Sequence, residues 1–504
     1  MSALDILRGD PELAGLAAFP FDFDLRRAEH GEAVRLASGA PLQPVAGDDT
    51  GGTFFVCDGG PVLYASSEGQ AALIGMSVDE ALEIVIGLPA WRDLVDVTPD
   101  LPEAEIIAAV TEAEDEHRAY VPGLDAHRTA LLAALGLAER SPVELIARLH
   151  AAQLRTEPDH LLLNADELLA SEPLHPHAGT PLYDVVLEPG RADLALLRSS
   201  ADSWAQVAAD DVRRATALLA AHYDRDPGDL GFLRVLAEQE ARYGMTDELR
   251  LSAVLIARYG GTAELPLLHR LRETSFDTHC GLSEIPEEGA QALREWAAAP
   301  AGPMFGEDPA QEPELQWIEL ARRQGRTEHA RAALIRLLDD TGPAQTDRLT
   351  SLVHELAELG DFAQAARAQQ LDARLQSTAW DRGSAWTTLA GLQRQAGDTA
   401  AAWDSLRRAL RALDPPEAEP EHPGQYALDI PMPAVPADTS AEGWRRYGLG
   451  REVVREHFEL AAVAGDRTLA RAAYERGREL LESLPQEPPP LVKDAVERAA
   501  RAVG

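Results

Sequence analysis

Positive charge is in short supply in this chain. Its 504 residues hold 46 basic against 84 acidic side chains, a formal net charge of −38, and Lys493 is the sole lysine. Nucleic acid and anionic lipid are bound by Lys and Arg that neutralise phosphates, so both are disfavoured as partners. An acidic surface instead favours solubility and speeds encounter with a basic protein. Cysteine is rarer still. Cys57 and Cys280 cannot build a disulfide framework, and they suit a reducing compartment. Aromatic residues make up 5% of a chain that is 45% hydrophobic, which fits an alanine-rich helical protein and not a disordered one. No apolar run approaches the length of a membrane span. The N-terminus, MSALDILRGDPELAG, has no basic region ahead of an apolar stretch, so no signal peptide is expected. These absences lead us to expect a cytoplasmic protein that does not enter a membrane.

Catalytic signatures are missing as well. There is no Gly-x-Ser-x-Gly elbow, no His-Glu-x-x-His pair, no Walker lysine and no kinase set. The turn Gly47-Asp48-Asp49-Thr50-Gly51-Gly52 is rich in glycine. It has no lysine, its two aspartates repel phosphate, and a strand follows it, so it reads as a turn. His175-Pro176-His177 is a local cluster of metal-ligand types, but no further ligands lie nearby in sequence, and a proline-bounded surface loop is the reading. His117, within Glu114-Asp115-Glu116-His117, reads as part of a solvated acidic helix face. Cys57 lies in a strand-type run, where free cysteine behaves as a small apolar residue. Cys280 follows His279, a pair able to make a reactive thiolate only if two adjacent side chains converge. No catalytic residue, metal or cofactor is expected.

What the chain does have changes along its length. Leu4 to Leu16 has helical spacing, and Phe19-Pro20-Phe21-Asp22-Phe23 reads as a segment pinned to the core by its rings. Thr53-Phe54-Phe55-Val56-Cys57 and Pro61-Val62-Leu63-Tyr64-Ala65 are β-type runs, and Asp58-Gly59-Gly60 between them signals a hairpin. A third apolar run spans Ala71 to Met76. Ser77-Val78-Asp79-Glu80 then opens a helix with a capping-box pattern, its apolar face formed by Leu82, Val85, Ile86 and Leu88. Gly51-Gly52-Thr53-Phe54-Phe55, Pro61-Val62-x-Tyr64, Ser67-Glu68-Gly69 and Leu88-Pro89-x-Trp91 resemble the C-terminal part of a SUKH-superfamily domain. The Leu-Pro-x-x-Tyr helix with which members usually begin is not found upstream. The resemblance implies a small α+β domain over residues 1–100, of a kind often used by immunity proteins that neutralise toxins.

From Pro102 onward the spacing becomes helical, with a connecting region expected over 101–204. Leu161-Leu162-Leu163 and Val185-Val186-Leu187 fit either helix or strand. The region 205–414 repeats. Trp386-x-x-Leu389-Ala390, Gly397-Asp398, Ala402, Ala409-Leu410 and Pro415 mark two helices joined by a tight turn. Trp317-Ile318 with Gly325-Arg326 and Ala330, and Leu352-Val353 with Gly360-Asp361 and Ala365, repeat the pattern, and weaker copies surround Gly244 and Gly465-Asp466. Gly325, Gly360 and Gly397 lie 35 and 37 residues apart. These positions resemble tetratricopeptide (TPR) units, whose period is about 34 residues and which are stable only when stacked. Trp317, Trp386 and Trp403 read as core. In such stacks the ligand usually lies along the groove lined by first helices, and there Gln393 and Arg394 are the candidate partner-binding residues. Residues 415–441 are proline-rich, with seven prolines between Pro415 and Pro436, and read as an extended loop. Residues 442–504 read as a last TPR-like unit and a capping helix that begins near Leu491.

The expected architecture is an α+β N-terminal domain followed by a mainly α-helical, TPR-like solenoid. The expected function is non-catalytic protein binding, of an immunity or inhibitor kind in which acidic residues cover a basic partner. A general TPR adaptor is the alternative. An enzyme with an unfamiliar site around His175, His177 or Cys280 is the second.

Overall fold

The computed structural model describes residues 2–94, 97–174, 179–298, 306–342, 345–414 and 443–504. The stretch expected as an extended loop, 415–441, lies outside the described residues, and so do His175 and His177. Two short helices open the chain, α1 (Ala3–Gly9) and α2 (Pro11–Ala18). The Asp10 carboxylate accepts the N–H groups of Glu12 and Leu13, and Pro11 fills a position where no N–H is needed. In the aromatic segment that follows, Phe21 and Phe23 are buried, whereas Phe19 remains 67% exposed.

The strands are β1 (Val34–Leu36), β2 (Leu42–Gly47), β3 (Thr53–Cys57), β4 (Val62–Ala65), β5 (Gln70–Gly75), β6 (Leu162–Asn164) and β7 (Glu172–Pro173). β2 to β5 form an antiparallel meander, β7 joins β5 in parallel, and β1 pairs separately with β6. Both faces of the meander are covered. Phe54, Tyr64 and Ile74 face α3 (Val78–Gly87), α4 (Glu103–Tyr120), α5 (Leu124–Leu135) and α6 (Pro142–Gln153). Phe55, Leu63 and Leu73 pack on the other side with Leu36, Ala152 and Leu162. Double burial is why these strands read as near-continuous apolar runs instead of a clean alternation. At the start of α3, Ser77 Oγ accepts the Glu80 N–H, while the Glu80 carboxylate accepts the N–H of Met76, one residue before the cap.

Residues 103–153 are not a connector. Ile106, Val110, Leu124, Leu132, Leu145 and Leu149 share one core with the sheet, and the chain then returns to it through β6 and β7. The N-terminal unit therefore runs to about residue 174 and not to 100. Spacing alone hides this, because an amphipathic helix has the same period whatever its apolar face covers.

The rest is mostly helical. Val185-Val186-Leu187 lies in α7 (Leu182–Ser199), which is followed by α8 (Trp204–Ala209), α9 (Asp211–Asp224), α10 (Leu230–Glu240), α11 (Asp247–Gly260), α12 (Leu265–Arg272), α13 (Phe276–Gly281) and α14 (Ala290–Ala298). Three helix pairs come next: α15 (Glu314–Arg323) with α16 (Thr327–Asp339), α17 (Thr346–Glu358) with α18 (Phe362–Leu375), and α19 (Ala379–Gln395) with α20 (Thr399–Leu413). The last three helices are α21 (Gly448–Val463), α22 (Arg467–Ser483) and α23 (Pro490–Val503).

The three pairs turn in the same way. Gly325, Gly360 and Gly397 hold φ of +72°, +74° and +87°. The Gly360 N–H bonds the Ala357 carbonyl at 2.9 Å, the Asp361 N–H bonds that of Leu356 at 2.9 Å, and the other two turns repeat this. No neighbouring atom lies within 4 Å of where a Cβ would stand at any of the three. The left-handed backbone, not crowding, demands glycine here. Asp361 and Asp398 then cap the second helices through the N–H groups of Gln364 and Ala401. Gly465 does not adopt the left-handed angle, and Asp466 caps α22 without that turn.

The N-terminal unit is seated on the helices. Ala37, Leu161 and Leu163 pack against Ala332 and Ile335 of α16. Around this seam Glu157 pairs with Arg336 at 2.6 Å, and the Ala170 N–H bonds Asp339 Oδ2 at 3.0 Å.

Candidate functional site

Three of the residues behind the N-terminal resemblance, Gly52, Tyr64 and Trp91, meet at one polar centre. Asp48, 2% exposed, accepts the Tyr64 hydroxyl at 2.6 Å through Oδ2, and the Thr50 and Gly52 N–H groups at 2.9 and 2.8 Å through Oδ1. Arg92 pairs with Asp48 and, at 2.8 Å, with Asp22, whose φ of +53° places it in the left-handed region. The Trp91 ring stands edge-on to Tyr64 with centroids 5.0 Å apart. A Cβ on Gly52 would overlap the Tyr64 hydroxyl, so this glycine answers to space. Burial, aided by the bond to Asp48, pushes the Tyr64 phenol up to about 12. Burial also works against the charge of Asp48, but Tyr64, Arg92, Thr50 and Gly52 outweigh it and hold its carboxyl below the usual range. Burial and the neighbouring charge of Asp49 push the Asp22 carboxyl up despite Arg92. The groups bond chiefly to one another, and the centre fastens the glycine-rich turn to the segment after α3.

Gln393 and Arg394 are adjacent in α19 but lie in different settings. Gln393 lines a cavity of about 440 Å³ with Trp386, Leu389, Ser405 and Arg408, and its carbonyl accepts the Ser405 hydroxyl at 2.7 Å. Arg394 instead pairs with Glu456 of α21 at 3.1 Å, its side chain 17% exposed. One residue turns a helix by about 100°, so adjacent positions cannot share a narrow groove. Of the three tryptophans read as core, Trp317 is buried at 3% exposure. Trp386 and Trp403 are half-buried, and the Arg408 guanidinium stands 4.9 Å from the Trp386 ring centroid.

What edges this cavity is not legible in the sequence. Asp166, Glu167 and Leu168 of the N-terminal unit form part of its lining. Leu168 takes φ +62°, and its carbonyl accepts Gln364 Nε2 at 2.7 Å and Arg367 Nη1 at 3.2 Å. The only local signal is Asn164, whose side chain accepts the Asp166 and Glu167 N–H groups.

A second cavity, about 560 Å³, lies at the seam and is lined by His150, Glu157, Glu314, His329 and Arg336 among others. Burial pushes the Glu314 carboxyl up and the His329 imidazole down. Cys57 is buried, and burial pushes its thiol up to about 12. Cys280 is exposed, while His279 Nδ1 lies 3.2 Å from Glu273. Among the described residues, no group of three His, Cys, Asp or Glu is placed to hold a metal ion, and no helix is long and apolar enough to cross a membrane.

Charge divides unevenly between the regions. Residues 1–174 hold 31 acidic and 10 basic side chains, whereas the remaining 330 hold 53 and 36. No protein-family model, curated protein or solved structure matches the chain.

Proposed function

We propose that this chain is a non-catalytic protein-binding protein of the immunity or inhibitor kind, whose acidic N-terminal unit covers a basic surface of its partner. The helix pairs serve as a TPR-like stack that carries this unit. The observation behind the reading is the uneven charge: the first 174 residues supply a net −21 of the chain's −38. A field of one sign steers and selects a partner of the opposite sign, and salt weakens that attraction. The test is affinity purification of the full chain from its native cell at low and high salt, with mass spectrometry of what co-elutes. A basic protein released by salt is the expected outcome, and recovery of neutral or acidic partners alone would overturn the reading.

The cavity beside Gln393 favours a second reading, in which the chain is a general TPR-like adaptor. A half-buried tryptophan beside polar side chains at one groove suits a peptide anchor. In that case Trp386→Ala would release the partner, and salt would have little effect.

A further inference from the structure

We propose that the groove between the two small sheets of the N-terminal unit docks an arginine- or lysine-bearing segment of a partner protein. The inference rests on the reading of this unit as an acidic cover, and it assigns the surface that does the covering. The groove holds about 570 Å³ and is walled by the chain at His30–Val34, the β4–β5 turn and the return through Asn164–Ser171. Its floor is apolar, with Val34, Leu162 and Leu169, the last 41% exposed. Its rim carries Glu32, Glu68 and Glu167, all exposed, and no arginine or lysine lines it.

The rim differs from the buried carboxylates of the same unit. Glu83 is neutralised by Arg140 and Arg148, and Glu114 by Arg118 and Arg128. Among the described residues no arginine pairs with Glu32, Glu68 or Glu167, so their charge faces outward uncompensated. His30 adds no positive charge at neutral pH, because burial pushes its imidazole down. A basic side chain matches both parts of the groove: its aliphatic stem covers Leu169 and Val34 while its head reaches the carboxylates.

The walls are already in place. Ser67 Oγ donates to the Thr50 carbonyl at 3.0 Å, Asn164 Nδ2 donates to Glu32 Oε2 at 2.8 Å, and the Glu172 N–H bonds the Gly69 carbonyl at 2.9 Å. A preformed groove keeps the ordering cost of docking low.

The test is fluorescence anisotropy of the full chain with a labelled synthetic peptide of alternating arginine and leucine at low salt. One variant carries E32Q, E68Q and E167Q. A control carries E103Q, E112Q and E116Q on the exposed face of α4, removing equal charge from the same unit. Loss of several exposed ion pairs predicts roughly tenfold weaker binding for the groove variant and less than about twofold for the control. Equal losses in both, or none in the groove variant, would overturn the groove and leave the acidic-cover reading standing. No binding by the unchanged chain would overturn both.

Discussion

The sheet unit and the turns of the helix pairs handle their polar groups in opposite ways. In the sheet unit charge is taken inside and closed by long-range partners: Asp22 and Arg92 meet across 70 residues of sequence, and Tyr64 reaches Asp48 across 16. In the pairs from α15 to α20 the polar punctuation is local, a glycine at each turn and in two of them an aspartate cap, bonding within a few residues. The comparison teaches that one misplaced atom in the sheet unit disturbs several segments at once, whereas a damaged helix turn stays a damaged turn. The helical part also takes polar groups inside: Arg214 is buried against Glu240, and His457 in α21 is buried as well. His457 is fully buried, its Nδ1 lies 2.7 Å from the Val453 carbonyl, and among the described residues its Nε2 has no hydrogen-bond partner.

Gly52→Ala should give the largest effect. The new methyl overlaps the Tyr64 hydroxyl and approaches Asp48 Oδ2 to 2.7 Å, so we expect a loss of about 3 kcal/mol or more in chemical denaturation. A loss no greater than that of Gly397→Ala would break the comparison. The pH response of the α20–α23 region comes next. Burial pushes His457 from 6.5 down to about 4, with the charge of Arg476 acting the same way. The unfolded chain takes up this proton near pH 6.5 and the folded chain only near pH 4, so stability falls as pH falls through that window. The expected loss is on the order of 3 kcal/mol. His457→Gln should flatten the slope of stability against pH between those values, and an unchanged slope would remove His457 as the cause. Asp48 works in a lower window: its carboxyl is held below 3.8, so its stabilisation is present above that value and lost as pH falls further. Tyr64→Phe deprives the buried Asp48 of its hydroxyl partner and should cost about 1–3 kcal/mol by the same denaturation measurement. Gly397→Ala forces a methyl into left-handed backbone but meets no neighbour, so about 1 kcal/mol is expected, with the sheet unit's near-ultraviolet signal unchanged.

The same contrast explains what was legible in the sequence. Gly325, Gly360 and Gly397 stood out because a left-handed turn selects glycine whatever surrounds it. The runs at Thr53–Cys57 and Val62–Ala65 and the cap at Ser77 were legible because turn chemistry is local. The seating of α4 to α6 on the sheet was not, since their period is the same against any apolar surface. β1, β6 and β7 are too short to carry a period at all. Gln393 was legible as a groove residue only as far as helix position allows, and the Arg394–Glu456 pair depended on a helix more than 50 residues on. Leu168 could not have been foreseen, because nothing in a leucine announces a left-handed backbone held by Gln364 and Arg367 from another unit.

The most direct measurement is hydrogen exchange of the full chain alone and with its co-purified partner. If the acidic unit covers the partner, protection should rise at 28–34, 64–71 and 162–171 and stay unchanged along α18 to α20. Protection confined to α18–α20, with the sheet unit exchanging as it does alone, would contradict the account and place recognition on the helix pairs.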